Sequence, residues 1–162
     1  LLVLRELSGQ DVIVDAGRLG LEGSPQPLIR YSDVTLLLTR SSLAALAAAR
    51  SWAKTLAAEV VHGHDVKLVL IGEGRPYRAG EVHRALGLPV ATSVEWDSKR
   101  AEVFSAGVAH PPARFGGEQG AARAFEQSGF VRSLKTLASV LRRTAADRDE
   151  FETARTGGEK HD

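Results

Sequence analysis

The sequence predicts an α/β fold: a mostly parallel sheet with helices on both faces. Three observations predict it. First, near-continuous apolar runs occur at Val12–Val14, Val34–Leu38 and Val66–Ile71, and such runs suit strands buried on both faces. Second, an alanine-rich stretch with helical spacing, Leu43 to Val60, separates two of these runs. Third, strand alternates with helix along the chain, the order that right-handed parallel crossovers require. In open sheets of this kind, ligands bind beyond the carboxyl ends of the strands.

The first run reads Asp11-Val-Ile-Val-Asp15-Ala-Gly17-Arg18-Leu-Gly20. It places Asp15 at the carboxyl end of a strand, where a carboxylate can hold Mg²⁺, and Gly17 where backbone can approach a phosphate. The plainer reading is a strand that ends in a turn, since Asp and Gly are common turn residues. Ser24-Pro25 then suits the cap and first turn of a short helix through Arg30. Asp33 to Leu38 is the second strand, and Ser41 or Ser42 can N-cap the long helix that follows. That helix sets Leu43, Leu46, Ala47, Ala53, Leu56, Ala57 and Val60 on one face. Val66–Ile71 is the third strand, Gly72–Tyr77 a turn-rich loop, and Ala79–Leu86 a short helix closed by Gly87 as its C′ residue. Pro89–Val94 is the fourth strand, followed by a helix from Ser98 to Ala106 and a surface loop over His110–Gly117. The last helix spans Gly129 to Arg143, with Val131, Leu134, Leu137, Ala138 and Leu141 on one side.

With 162 residues, the chain is the size of one ordinary domain. Its 43% hydrophobic and 25% charged residues fit a globular protein rather than a disordered one. The net charge of +1 supplies no global field toward nucleic acid or an anionic membrane. Cysteine is absent, which removes disulfides, thiolate nucleophiles and zinc–thiolate sites together, and is consistent with a reducing cytoplasm. One domain is expected over 1–143, with a charged, frayed tail over 144–162 that lacks the apolar residues of a membrane-targeting helix. Leu1, Leu4 and Leu7 read as the tail of an amphipathic helix, so the chain is expected to be the downstream part of something longer.

Taken together, these features resemble the C-terminal portion of the MinD/ParA family of deviant P-loop ATPases, nearest to its CpaE/TadZ-like members. Asp11–Asp15 resembles the family's Walker B strand. Tyr31–Arg40, with Ser41 and the alanine-rich helix, resembles the next strand and its subunit-facing helix. Leu68–Gly72 resembles the strand that normally ends in an adenine-contacting Asn, and Gly87–Val90 with Val94–Asp97 the segment beside the base. Arg132–Leu141 resembles the closing helix. The resemblance implies a P-loop NTPase-like fold of the SIMIBI type with its N-terminal part missing. It also implies ATP and Mg²⁺ as the parent family's cofactors, and a homodimer with nucleotide between its subunits. By the same resemblance, Asp15 is the metal-side carboxylate, while Gly17, Gly72 and Asp97 contact the nucleotide.

The departures from the family pattern shape the functional expectation. No Gly-x-x-x-x-Gly-Lys-Ser/Thr occurs, so the phosphate cradle and its lysine are missing. Asp15-Ala-Gly17-Arg18 stands where the family has Asp-x-Pro-x-Gly, and Gly72 stands near the place of the adenine Asn. The expectation is therefore part of an ATP-hydrolysing switch for partitioning, division positioning or pilus assembly. Phosphoryl transfer depends on positioning and electrostatics, so this chain alone is expected to be inactive and to bind no nucleotide tightly. The alternative is a nucleotide-free interaction module that keeps the fold. A receiver- or flavodoxin-like regulator is disfavoured, because neither an acidic cluster nor a flavin-phosphate loop is found.

Other residues read as surface or turn. Asp97 suits a helix N-terminal charge as well as a base contact. Arg40 reads as solvated, with a nucleotide- or subunit-facing role as the alternative. His62-Gly-His64 lacks a third ligand and reads as a polar turn. Arg75, Arg78, His83 and Arg84 read as a solvated basic face, and DNA contact lacks the aromatics that would support it. Ser41, Ser42 and the histidines form no triad-like pattern.

Overall fold

A computed structural model of the chain describes residues 10–19, 26–61, 65–74 and 76–157. Its elements are α1 (Gln26–Tyr31), β1 (Val34–Arg40), α2 (Leu43–Val61), β2 (Asp65–Ile71), α3 (Ala79–Leu86), β3 (Val90–Val94), α4 (Ser98–Ser105), α5 (Gly117–Glu126) and α6 (Gly129–Gly157). The three strands form one parallel sheet in the order β1-β2-β3. The expected α/β class and parallel sheet are therefore present. Leu1–Leu7, the Ser24-Pro25 cap, His62, His64, Arg75 and the last five residues lie outside the described residues.

β2 is the centre of the sheet, and its side chains divide the core in two. Val66, Leu68 and Leu70 face one side, where they meet Leu46, Ala49, Ala53 and Leu56 of α2 and Val82 and Leu86 of α3. Val69 faces the other side, against Phe125 of α5 and Phe130 and Val131 of α6. Because side chains alternate along a strand, a run that is apolar throughout is buried on both faces only if helices cover both. That is the arrangement here. The buried stripe of α2 runs through Leu46, Ala49, Ala53 and Leu56, while Leu43, expected on that face, is 67% exposed. The alanines let the helix approach β2 closely.

β1 and β2 pair in continuous register from Val34–Asp65 to Arg40–Ile71. Between β2 and β3 the register breaks once: Leu68 lies beside Val90, but Val69 lies beside Thr92, so β3 carries an extra residue at Ala91. α3 ends as its sequence predicts, with Gly87 in the left-handed region (φ 72°) and its N–H donating to His83 C=O at 2.8 Å. α6 crosses the second face against β3, and its middle is tied to the sheet where Lys67 Nζ donates to Thr144 Oγ1 at 2.8 Å.

Two expectations are corrected. Val12–Val14 forms no strand: residues 10–18 are irregular and exposed, Ile13 to 90%. An apolar β-branched run becomes a strand only where neighbouring backbone takes up its N–H and C=O groups. No strand lies beside this run among the described residues. Gly117–Glu126 forms α5, an element that the sequence reading did not assign. Finally, the closing helix does not stop at Arg143 but continues through much of the expected tail to Gly157.

Candidate functional site

The carboxyl ends of β1, β2 and β3 open into one crevice, and each strand delivers a different group to it. β1 ends in Arg40 and runs into Ser41, which is almost fully buried. Ser41 Oγ donates to Gly72 C=O at 2.6 Å, and Gly72 N–H donates to Val94 C=O at 2.8 Å. Those two bonds lock the ends of the three strands together around Gly72. Gly72 itself is left-handed (φ 72°), and a Cβ there would lie 3.2 Å from Trp96 Cβ. Glycine is thus required twice, by conformation and by close approach.

Trp96 follows β3 and forms a wall shared by two adjoining cavities. The larger, about 360 Å³, is lined by Gly72, Glu73, Ser93, Glu95, Trp96 and Ser133 among others. The smaller, about 200 Å³, is lined by Arg40, Ser41, Ser42, Gly72 and Trp96. The Arg40 guanidinium lies 4.2 Å from the centre of the Trp96 ring, a cation–π contact. Arg40 is exposed, as expected, and rests its guanidinium on that aromatic face.

The floor of the larger cavity is polar and already organised. Glu73 Oε2 accepts from Ser93 Oγ at 2.6 Å, and Oε1 accepts from Ala79 N–H at 2.7 Å, at the start of α3. The Ser93 hydroxyl first, then the Ala79 N–H and the charge of Arg78, hold the Glu73 carboxyl below the usual range; partial burial opposes them. Across the cavity, Glu95 N–H donates to Ser133 Oγ at 3.1 Å. The Glu95 carboxylate lies so close to Gly129 that any Cβ at 129 would run into it.

The residues singled out from the sequence separate into two groups. Gly72 lines both cavities. Asp97 lies near but lines neither; it is the N-cap of α4, accepting from Arg100 N–H at 3.0 Å and from the Arg100 guanidinium. The Arg100 N–H first, then its guanidinium, lower the Asp97 carboxyl. Asp15 and Gly17 line neither cavity. Because Val12–Val14 is not a strand, Asp15 does not stand at a strand's carboxyl end; its Oδ1 accepts from Gly17 N–H at 2.9 Å, closing a local turn. Gly17 is left-handed (φ 68°), as that turn needs. The sequence reading missed Trp96, Glu73, Ser93 and Ser133. Trp96 had a readable signal, a large aromatic two residues past a predicted parallel strand.

A stacking face beside hydrogen-bonding groups suits a flat, polar, partly aromatic ligand. It does not suit a metal–triphosphate. Among the described residues, Arg40 is the one cationic side chain lining either cavity, and it is turned onto Trp96 rather than toward a phosphate chain. The described residues therefore do not fit the Mg²⁺–triphosphate end of ATP. Comparison with protein-family models, with curated proteins and with solved structures finds no match.

Proposed function

We propose that this chain is the base-side and partner-side portion of a MinD/ParA-like ATP-binding switch, with no ATPase activity of its own. The observation that carries this reading is the crevice at the carboxyl ends of three parallel strands, where Gly72 admits the Trp96 ring and Arg40 stacks on it. Trp96 offers an aromatic face, and Glu73, Ser93 and Ser133 offer acceptors and hydroxyls for the amine and ring nitrogens of a base. The P-loop NTPase-like fold, the homodimer and the tie to partitioning or pilus assembly belong to the same proposal. Asp15 takes no part in this crevice, since its carboxylate closes a local turn with Gly17.

The chain has two tryptophans, so Trp52→Phe leaves Trp96 as the only indole reporter. Titration with adenosine, ADP and ATP should quench its fluorescence with similar, weak affinities and no gain from Mg²⁺, and no phosphate should be released from ATP. Equal affinity for base and triphosphate is the expected signature of a site that holds the base alone. Quenching that requires Mg²⁺, or measurable hydrolysis, would overturn the base-side reading. No response at millimolar nucleotide would favour the nucleotide-free interaction module. Asp97 supports that second reading, because its carboxylate is already engaged as a helix cap.

A further inference from the structure

The side chains of the larger cavity are short of hydrogen-bond donors. Besides the two carboxyl groups, the lining side chains that can donate are the Ser93 and Ser133 hydroxyls and the Trp96 indole N–H. Both hydroxyl protons are already committed. Ser93 Oγ donates to Glu73 Oε2 at 2.6 Å. Ser133 Oγ donates to Phe130 C=O at 2.6 Å and accepts from Glu95 N–H at 3.1 Å. What remains on offer is mostly lone pairs, from Glu73, Glu95 and the serine oxygens, against the indole N–H. A ligand that matches this lining must bring donors of its own.

Glu95 holds the freer carboxylate. Both oxygens of Glu73 are in use, Oε1 with the Ala79 N–H and Oε2 with Ser93. Among the described residues, the Glu95 side chain has no hydrogen bond or ion pair, since its bond to Ser133 runs through the backbone N–H. Its carboxylate is seated against Gly129, the first residue of α6, where any Cβ would collide with it. Glycine at 129 thus keeps an uncommitted carboxylate at the cavity wall, one residue from the stacking ring.

We propose that the base this cavity selects is guanine, read by the Glu95 carboxylate while Trp96 stacks on its plane. The inference rests on the base-side reading above and names the base. Guanine presents its N1–H and 2-amino group side by side, two donors that match the two oxygens of one carboxylate. Adenine presents an amino group beside the N1 lone pair, so a carboxylate gains one bond there and meets a lone pair with its other oxygen. Hypoxanthine keeps the N1–H and lacks the 2-amino group, so it gains one bond without that repulsion. Stacking is tolerant of base identity and does not produce this order. A bidentate contact to a base edge discriminates by about tenfold or more. Adenine, weakly held on the reading above, is the mismatched case.

The test is the affinity of GMP, IMP and AMP for the Trp52→Phe chain, read by Trp96 fluorescence at one salt concentration without Mg²⁺. The three ligands share ribose and phosphate, so any difference belongs to the base. GMP should bind about tenfold more tightly than AMP, with IMP between them. Glu95→Gln, at an exposed side chain, keeps the shape and sets a donor beside an acceptor, the pairing that adenine complements. With far-UV circular dichroism unchanged, that variant should bind AMP at least as tightly as GMP. The ranking of the three ligands on the chain that retains Glu95 needs no substitution at 95, so it decides the base even if Glu95→Gln fails to fold. AMP binding as tightly as GMP to that chain would overturn the guanine assignment and leave the base-side reading standing. A preference for GMP that survives Glu95→Gln would overturn Glu95 as the reader. Silence from all three ligands at millimolar concentration would overturn the base-side reading, and this inference with it.

Discussion

Gly72→Ala should lower the stability of the fold and at the same time displace Trp96. The left-handed backbone at Gly72 costs a residue with a Cβ about 1–2 kcal/mol. The added methyl would also stand 3.2 Å from Trp96 Cβ and 3.9 Å from its Cγ, so the indole must shift by a few tenths of an ångström. Gly74 separates the two effects: its φ is 77°, yet nothing lies within 4 Å of a Cβ built there. Gly74→Ala therefore carries the conformational penalty alone. For a chain of this size, 1–2 kcal/mol corresponds to a fall in Tm of about 2–8 °C. Thermal unfolding by circular dichroism should show a loss of that order for both variants, larger for Gly72→Ala. Trp96 emission, read in the Trp52→Phe background, should change only for Gly72→Ala. Equal Tm losses with unaltered Trp96 emission would refute the claim that Gly72 is needed for close approach.

Two further outcomes follow from the hydrogen bonds around the crevice. The Glu73 carboxyl is lowered in the folded chain, so its contribution is present above its unfolded pKa, near 4.5, and is lost as pH falls through the folded value. Denaturation titrations at neutral pH and near pH 3 should therefore show a smaller acid-induced loss for Glu73→Gln than for the parent, and an equal loss would remove Glu73 from the account. Asp97→Ala should cost about 1 kcal/mol by removing the α4 N-cap, whereas Asp97→Asn, which still caps, should cost less. If Asn and Ala behave alike in urea unfolding, the contact that matters is the Arg100 ion pair and not the cap.

The parts of the fold that sequence reading reached are those where periodicity reports burial directly. β1 and β2 announce themselves as apolar runs, α2 as an alanine-rich stripe, and Gly87 as a stop. Val12–Val14 carries the same local signal as β2 and yet forms no strand, because pairing is a property of neighbours and not of the run. α5 gave little to read: it contains Gly117 and Gly120 and buries only Ala121 and Phe125, four residues apart. The extension of α6 past Arg143 has no apolar stripe, and its helix-favouring content (Ala145, Ala146, Glu150, Glu152) is a weaker cue than periodicity.

The candidate site was half legible for a related reason. Gly72 could be placed because it follows a strong strand, whereas Glu73 and Ser93 are brought together by pairing between β2 and β3. Twenty residues separate them in the chain, and no local pattern links them. Arg40 could be placed at the end of its strand, but its stack on Trp96 depends on the same folding step.

The extra residue at Ala91 has a consequence for how this chain can vary in length. Beyond that point, every β3 side chain faces the side it does because one more residue has been counted: Val94 faces Val69's core and Trp96 reaches the crevice. Removing Ala91 alone would turn Val94 and the residues near it to the opposite face, exchanging buried for exposed positions in a single step. Deletions in the surface loop at His110–Gly116, by contrast, leave that parity untouched. Length is thus free to drift in the loop and is counted residue by residue in the short strand that carries the tryptophan.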